Sequence, residues 1–119
     1  MPRSSAARRF PVGHVYAGGV AGVERVPLSA FDRDGRAVVA LEGRDVAVFL
    51  VDGRAYAFAN ACPHEGNPLV LGDVAGSTLT CAFHNWRFDL ETGACLAGDA
   101  PAERYDVELR GDEVWVTAP

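Results

Sequence analysis

The chain has no lysine. All 11 of its basic residues are arginine, set against 16 acidic residues for a formal charge of −5. No basic stripe forms, so nucleic acid is not an expected partner, and the acidic balance mainly favours solubility. No apolar run approaches the roughly 20 residues that a spanning helix needs, so no membrane is expected as a partner either. Arg8-Arg9-Phe10 has the outline of a twin-arginine export signal. The stretch that follows, from Pro11 to Glu24, is broken by His14, glycine and proline and offers no apolar signal core. The expected location is therefore the cytoplasm. No helical period lasts beyond about two turns, and there is no internal repeat. Neither a Ser–His–Asp arrangement nor a glycine-rich phosphate loop is present, so the chain is not expected to be an enzyme by itself. Cysteine is scarce and odd in number, with three residues. In so short a chain this argues for metal or redox chemistry over a disulfide framework.

What is present is a chain of 119 residues, 49% apolar, enough for one domain with a core of its own. Residues 1–22, rich in Ser, Ala, Arg and Gly, read as a weakly structured arm, although its Val and Tyr residues could dock on the domain. Residues 23–119 read as the domain. There, short strands alternate with turns: Arg36–Leu41, Val46–Val51, Ala55–Phe58, Ser77–Thr80, Trp86–Phe88, Tyr105–Leu109 and Glu113–Thr117. Glu42-Gly43-Arg44-Asp45, Asp52-Gly53 and Gly111-Asp112 supply hairpin turns. The expected fold class is all-β, an antiparallel sandwich or small barrel. Two segments interrupt it, Asn60–Gly76 and Cys81 to about Pro101. Each carries one Cys and one His near its start, and function is expected there.

The first segment reads Cys62-Pro63-His64 and the second Cys81-Ala82-Phe83-His84, with sixteen residues between the two motifs. Two soft thiolates and two imidazoles suit zinc or iron–sulfur chemistry. Mononuclear zinc sites typically pair C-x2–4-C with H-x3–5-H. Here each segment supplies both ligand types, and one residue separates Cys62 from His64. Such close neighbours reach two different metals more easily than one. Paired, the segments offer both thiolates to one iron and both imidazoles to the other, the arrangement in which two His replace two Cys of a [2Fe–2S] centre.

On these residues, with Tyr56–His64, Cys81–Asp89 and Thr92-Gly93, the chain resembles the Rieske-type [2Fe–2S] ferredoxin family from about Val23 to Thr117. The resemblance implies a β-sandwich or barrel with a small cluster-binding subdomain made of two ligand loops. It implies one cluster per chain on Cys62, His64, Cys81 and His84, and a third, proline-containing loop, for which Cys95–Pro101 is the candidate. Cys95 itself is expected to be a packing residue, because the ligand set is already complete. One position departs from the family pattern. The residue after the second ligand His is commonly Gly and is Asn85 here, a side chain that tolerates left-handed backbone.

The resemblance also points to the low-potential, oxygenase-associated type. High-potential members carry a disulfide between the ligand loops, where this chain has Asn67 and Phe83. They place Ser and Tyr hydroxyls near the cluster sulfurs, where this chain has Trp86 and Phe88. Fewer hydrogen bonds to sulfur leave the added electron less stabilised. A monomeric one-electron carrier is expected, moving electrons from a flavin-dependent reductase to a terminal oxygenase. Two other readings remain open on sequence: an accessory subunit resembling the small subunit of nitrite reductase, and a zinc-binding interaction module.

Overall fold

The computed structural model describes residues 15–16, 22–63, 66–82, 85–98 and 100–118. In chain order their strands are β1 (Val15–Tyr16), β2 (Val23–Pro27), β3 (Arg36–Leu41), β4 (Arg44–Val51), β5 (Arg54–Ala59), β6 (Asp73–Ala75), β7 (Thr78–Thr80), β8 (Arg87–Asp89), β9 (Cys95–Ala97), β10 (Arg104–Arg110) and β11 (Glu113–Thr117). The helical pieces among the described residues are 3-10 turns at Leu28–Ala30 and Leu69–Leu71. No helix among them is long and apolar enough to cross a membrane.

Seven strands hydrogen-bond in the order β1-β3-β4-β5-β10-β11-β2, and four more form a second sheet in the order β6-β7-β8-β9. All pairings are antiparallel except that of β1 with β3. β2 comes back beside β3, so the larger sheet nearly closes on itself. The fold is all-β, as expected from the strand and turn pattern.

The central strands form because both of their faces are buried. Ala37, Val39, Leu41, Val46, Val48, Ala57 and Ala59 point into the nearly closed sheet, where they meet Val26, Tyr105, Val114 and Val116. Val38, Ala47, Phe49 and Phe58 face the other way and pack against Leu79, Phe88 and Leu90 of the smaller sheet. Strands covered on both sides read as unbroken apolar runs. β11 buries only one face, and its Val114 and Val116 alternate with partly exposed neighbours. The Asp52-Gly53 turn has φ of 51° and 79°, the type I′ geometry that matches strand twist.

Three differences from expectation are instructive. β4 begins at Arg44, two residues earlier than its apolar run, because Glu42-Gly43 alone makes the turn and Arg44 pairs with Leu41. Val15–Tyr16, within the segment read as an arm, lies parallel along β3 in register with Val38 and Val39. Finally, each interruption contains a short strand that was not expected, β6 in the first and β9 in the second, while β8 matches the strand expected at Trp86–Phe88. β6 and β9 are each three residues long, too short to display alternation.

Candidate metal centre

One Cys–His segment leads out of the larger sheet toward the smaller one, and the other lies within the smaller sheet. The Cys62 loop lies between β5 and the Leu69–Leu71 turn, and the Cys81 loop connects β7 to β8. The two loops are built alike. The Cys62 N–H donates to the Asn67 carbonyl at 2.7 Å, and the Gly66 N–H donates back to the Cys62 carbonyl at 2.7 Å. In the second loop the Cys81 N–H donates to the Trp86 carbonyl at 2.7 Å, and the Asn85 N–H donates to the Cys81 carbonyl at 3.2 Å. In each, the cysteine bonds the residue five ahead and is bonded by the residue four ahead. That fourth residue is left-handed in both, with φ of 76° at Gly66 and 58° at Asn85.

Asn85 thus adopts the geometry that glycine serves in the first loop. Asn pays less than other side chains for φ above zero. Replacing Asn85 by Gly should therefore leave the thermal midpoint nearly unchanged. Asn85→Ala should lower stability by about 1 kcal/mol, read as a fall in that midpoint.

Cys62 and Cys81 are 1% and 0% exposed and belong to one apolar cluster with Phe49, Phe58, Leu69, Leu79 and Phe88. Neither is in a disulfide. His64 and His84, the other two expected ligands, lie outside the described residues, as does Phe83. Asn67, at the matching disulfide position of the first loop, is described and half-buried. The third loop begins as β9. A register shift between Arg87 and Phe88 leaves Leu96 bulged and 56% exposed, while Cys95 packs half-buried against the cluster that holds the other two cysteines.

Two residues that sequence reasoning missed, Arg36 and Asn60, hold this arrangement in place. The half-buried Arg36 guanidinium, at the start of β3, donates to the carbonyl of Val70 at 2.7 Å and to that of Gly72. It also lies 5.2 Å from the centre of the Phe49 ring. Burial lowers its pKa, and the nearby carboxylates of Asp32, Asp34 and Asp73 oppose that shift. Arginine remains charged regardless. From the other side the Asn60 side-chain oxygen accepts the Val70 N–H at 2.9 Å. The turn that follows the Cys62 loop is therefore tied to β3 and to the end of β5. An Arg after two Asp residues carries no sequence signal for such a bridge.

Of the acidic residues near Thr92-Gly93, Asp89 has a turn role, whereas the Glu91 side chain ties the turn to β5. Asp89 accepts the Glu91 N–H at 2.8 Å. Glu91 accepts from the Tyr56 hydroxyl at 2.7 Å and from Arg54 at 3.0 Å. Its hydrogen bond to Glu91 is the largest contribution raising the Tyr56 pKa.

Two buried thiols on loops of one hydrogen-bonded frame are soft donors of the kind a metal–sulfur centre uses. Residues 23–111 match the Rieske [2Fe-2S] domain, and the chain belongs to that family. It is 34% identical over 96 residues to the ferredoxin component of a naphthalene 1,2-dioxygenase system of Pseudomonas putida, covering 79% of this chain and 92% of the relative. Among solved structures, the ferredoxin of carbazole 1,9a-dioxygenase from Nocardioides aromaticivorans superposes with a TM-score of 0.72 at 28% identity, over 82% of this chain and 98% of that one. A structure of reduced oxygenase with oxidised ferredoxin in carbazole 1,9a-dioxygenase matches with a TM-score of 0.73 at 25% identity, over 82% of this chain and 94% of that one. Other relatives are much longer proteins, of which this chain spans 11% to 26%. The cofactor of that family is a [2Fe–2S] cluster, and the relatives matched over most of their own length are named as ferredoxin components of dioxygenase systems.

Proposed function

We propose that Cys62 and Cys81 hold one iron of the cluster and His64 and His84 the other, and that the protein passes single electrons from a flavin-dependent reductase to a terminal oxygenase. The observation that supports this most directly is the matched pair of loops, each presenting one deeply buried cysteine from the same hydrogen-bonded frame. The donor chemistry fits the group: soft thiolates beside imidazoles are what such a centre requires. When bound, the cluster supplies a site that takes up and releases one electron. The chain's own part is to exclude water from the sulfur side, hold both loops in register, and leave the His side as the route to a partner. The ferredoxin names and the oxygenase complex among its relatives support the partner assignment. We assign residues 23–119 to the cluster domain and residues 1–22 to an arm, and place the protein as a monomer in the cytoplasm.

Neither Trp86 nor Phe88 can offer the hydroxyl found in high-potential members, and Phe88 is fully buried. The reduction potential is therefore expected near or below about −100 mV, in the lower part of the range for such centres. Protein-film voltammetry reads it directly, and a value above about +100 mV would remove the low-potential assignment. Red-brown protein with iron and acid-labile sulfide in equal amounts, reoxidised on mixing with a Rieske-type terminal oxygenase, is the expected result. A colourless zinc protein would sink the carrier reading.

A further inference from the structure

Trp86 and Gly98 are fitted to one another. The ladder between β8 and β9 ends at the pairing of Arg87 with Ala97. One residue beyond, Gly98 lies against the indole of Trp86. A Cβ at Gly98 would overlap Trp86 Cδ2, and would lie 2.5 Å from Trp86 Cε3 and 2.9 Å from Cys95 Sγ. Gly98 also has φ of 143°, a conformation that L side chains rarely adopt. The indole is half-buried, tilted on Phe88 at 6.4 Å between ring centres, and packed on the apolar cluster that contains Cys62 and Cys81. Its backbone carbonyl closes the Cys81 loop. One residue thus completes that loop through its backbone and holds the third loop through its ring.

We propose that the Trp86–Gly98 contact is a latch. It fixes the third loop against the Cys81 loop beyond the point where strand pairing stops, and so sets how much water reaches the metal centre. Trp86 is a positioning residue. The inference rests on the cluster assignment above and adds to it a determinant of potential and cluster lifetime. Burial and solvent access are among the terms that set the potential of an iron–sulfur centre. Water admitted near a centre that gains negative charge stabilises the reduced form, so loosening the latch raises the potential.

The test is a double-mutant cycle on the cluster-loaded protein, with Trp86→Ala, Gly98→Ala and the double variant. Trp86→Phe serves as the conservative control, and Trp86→Leu replaces the alanine variant if that one loses its cluster in purification. The readouts are midpoint potential and the rate of absorbance loss to an iron chelator. Trp86→Ala should raise the potential and speed bleaching by about tenfold, as loss of an outer-shell partner does at other metal sites, and Trp86→Phe should restore most of both. Gly98→Ala should speed bleaching by about tenfold when Trp86 is intact and by only about twofold in the Trp86→Ala background. Equal factors in both backgrounds would show that Gly98 answers only to its backbone torsion and would overturn the latch. So would a potential unmoved by Trp86→Ala. Wild-type protein without iron and labile sulfide would instead overturn the cluster assignment, and this inference with it.

Discussion

Cys81→Ser protein is expected to purify colourless, with iron and sulfide reduced at least about tenfold, whereas Cys95→Ser protein stays red-brown and fully loaded. Both substitutions exchange one sulfur for one oxygen, so the contrast isolates position. The Cys81 thiol is fully buried in the apolar cluster between the sheets. Serine there offers a hard, weakly acidic oxygen in place of a soft thiolate, and an uncoordinated hydroxyl would be buried among Leu79, Phe88 and Leu90. Metal binding is also folding free energy, so this variant should unfold at a lower temperature as well. Cys95 is half-buried and packs beside Trp86 and Gly98. Its loss costs contacts but no ligand. Iron and sulfide analysis together with the visible spectrum decides between the outcomes. A fully coloured Cys81→Ser protein would remove Cys81 from the ligand set.

Arg36→Ala is expected to cost about 3 kcal/mol, the largest effect predicted for any residue outside the metal centre. Two backbone carbonyls, of Val70 and Gly72, accept from this one guanidinium, and Val70 and Gly72 are buried. Removing the donor strands them, and each orphaned carbonyl carries its own desolvation penalty. The contact with Phe49 is lost too. Arg36→Lys should recover less than half of the loss, because an ammonium on a flexible stem does not hold its donors at the fixed position from which Nη1 reaches both carbonyls. The apparent thermal midpoint at a fixed scan rate should fall by roughly 10 °C in the alanine variant. The same variant frees the turn after the Cys62 loop, so its cluster should bleach faster under chelator. A midpoint within about 2 °C of wild type would show that water satisfies the carbonyls and that the bridge is dispensable.

The central strands were legible because they are covered on both faces, and Val38 to Leu41 and Val46 to Phe49 cannot be hidden in a polar background. β10 and β11 were legible through alternation and a turn at Gly111-Asp112. The small sheet was legible only in part: the strands expected at Ser77–Thr80 and Trp86–Phe88 are β7 and β8, while β6 and β9 were not foreseen. β6 and β9 each have three residues, too few to show alternation, although they pair with neighbours close in the chain. β9 shows only that Cys95 and Ala97 find Phe88 and Arg87, a fact without a local signal. Arg36 was illegible because its partners lie 34 and 36 residues away.

The sequence alone determined the chemistry on offer: which residue types stand at C-x-H and C-x-x-H, that β structure dominates, and that Asn85 can accept a left-handed backbone. Those are properties of single residues and of near neighbours, and they survive in any conformation. The tertiary structure alone decided that the two cysteines lie in one dry cluster, that both loops share one hydrogen-bonded frame, and that Arg36, Asn60 and the Trp86–Gly98 contact brace them. Such facts depend on which distant strands meet. Pairing is set by burial summed over the whole core, and no short stretch of sequence contains that sum.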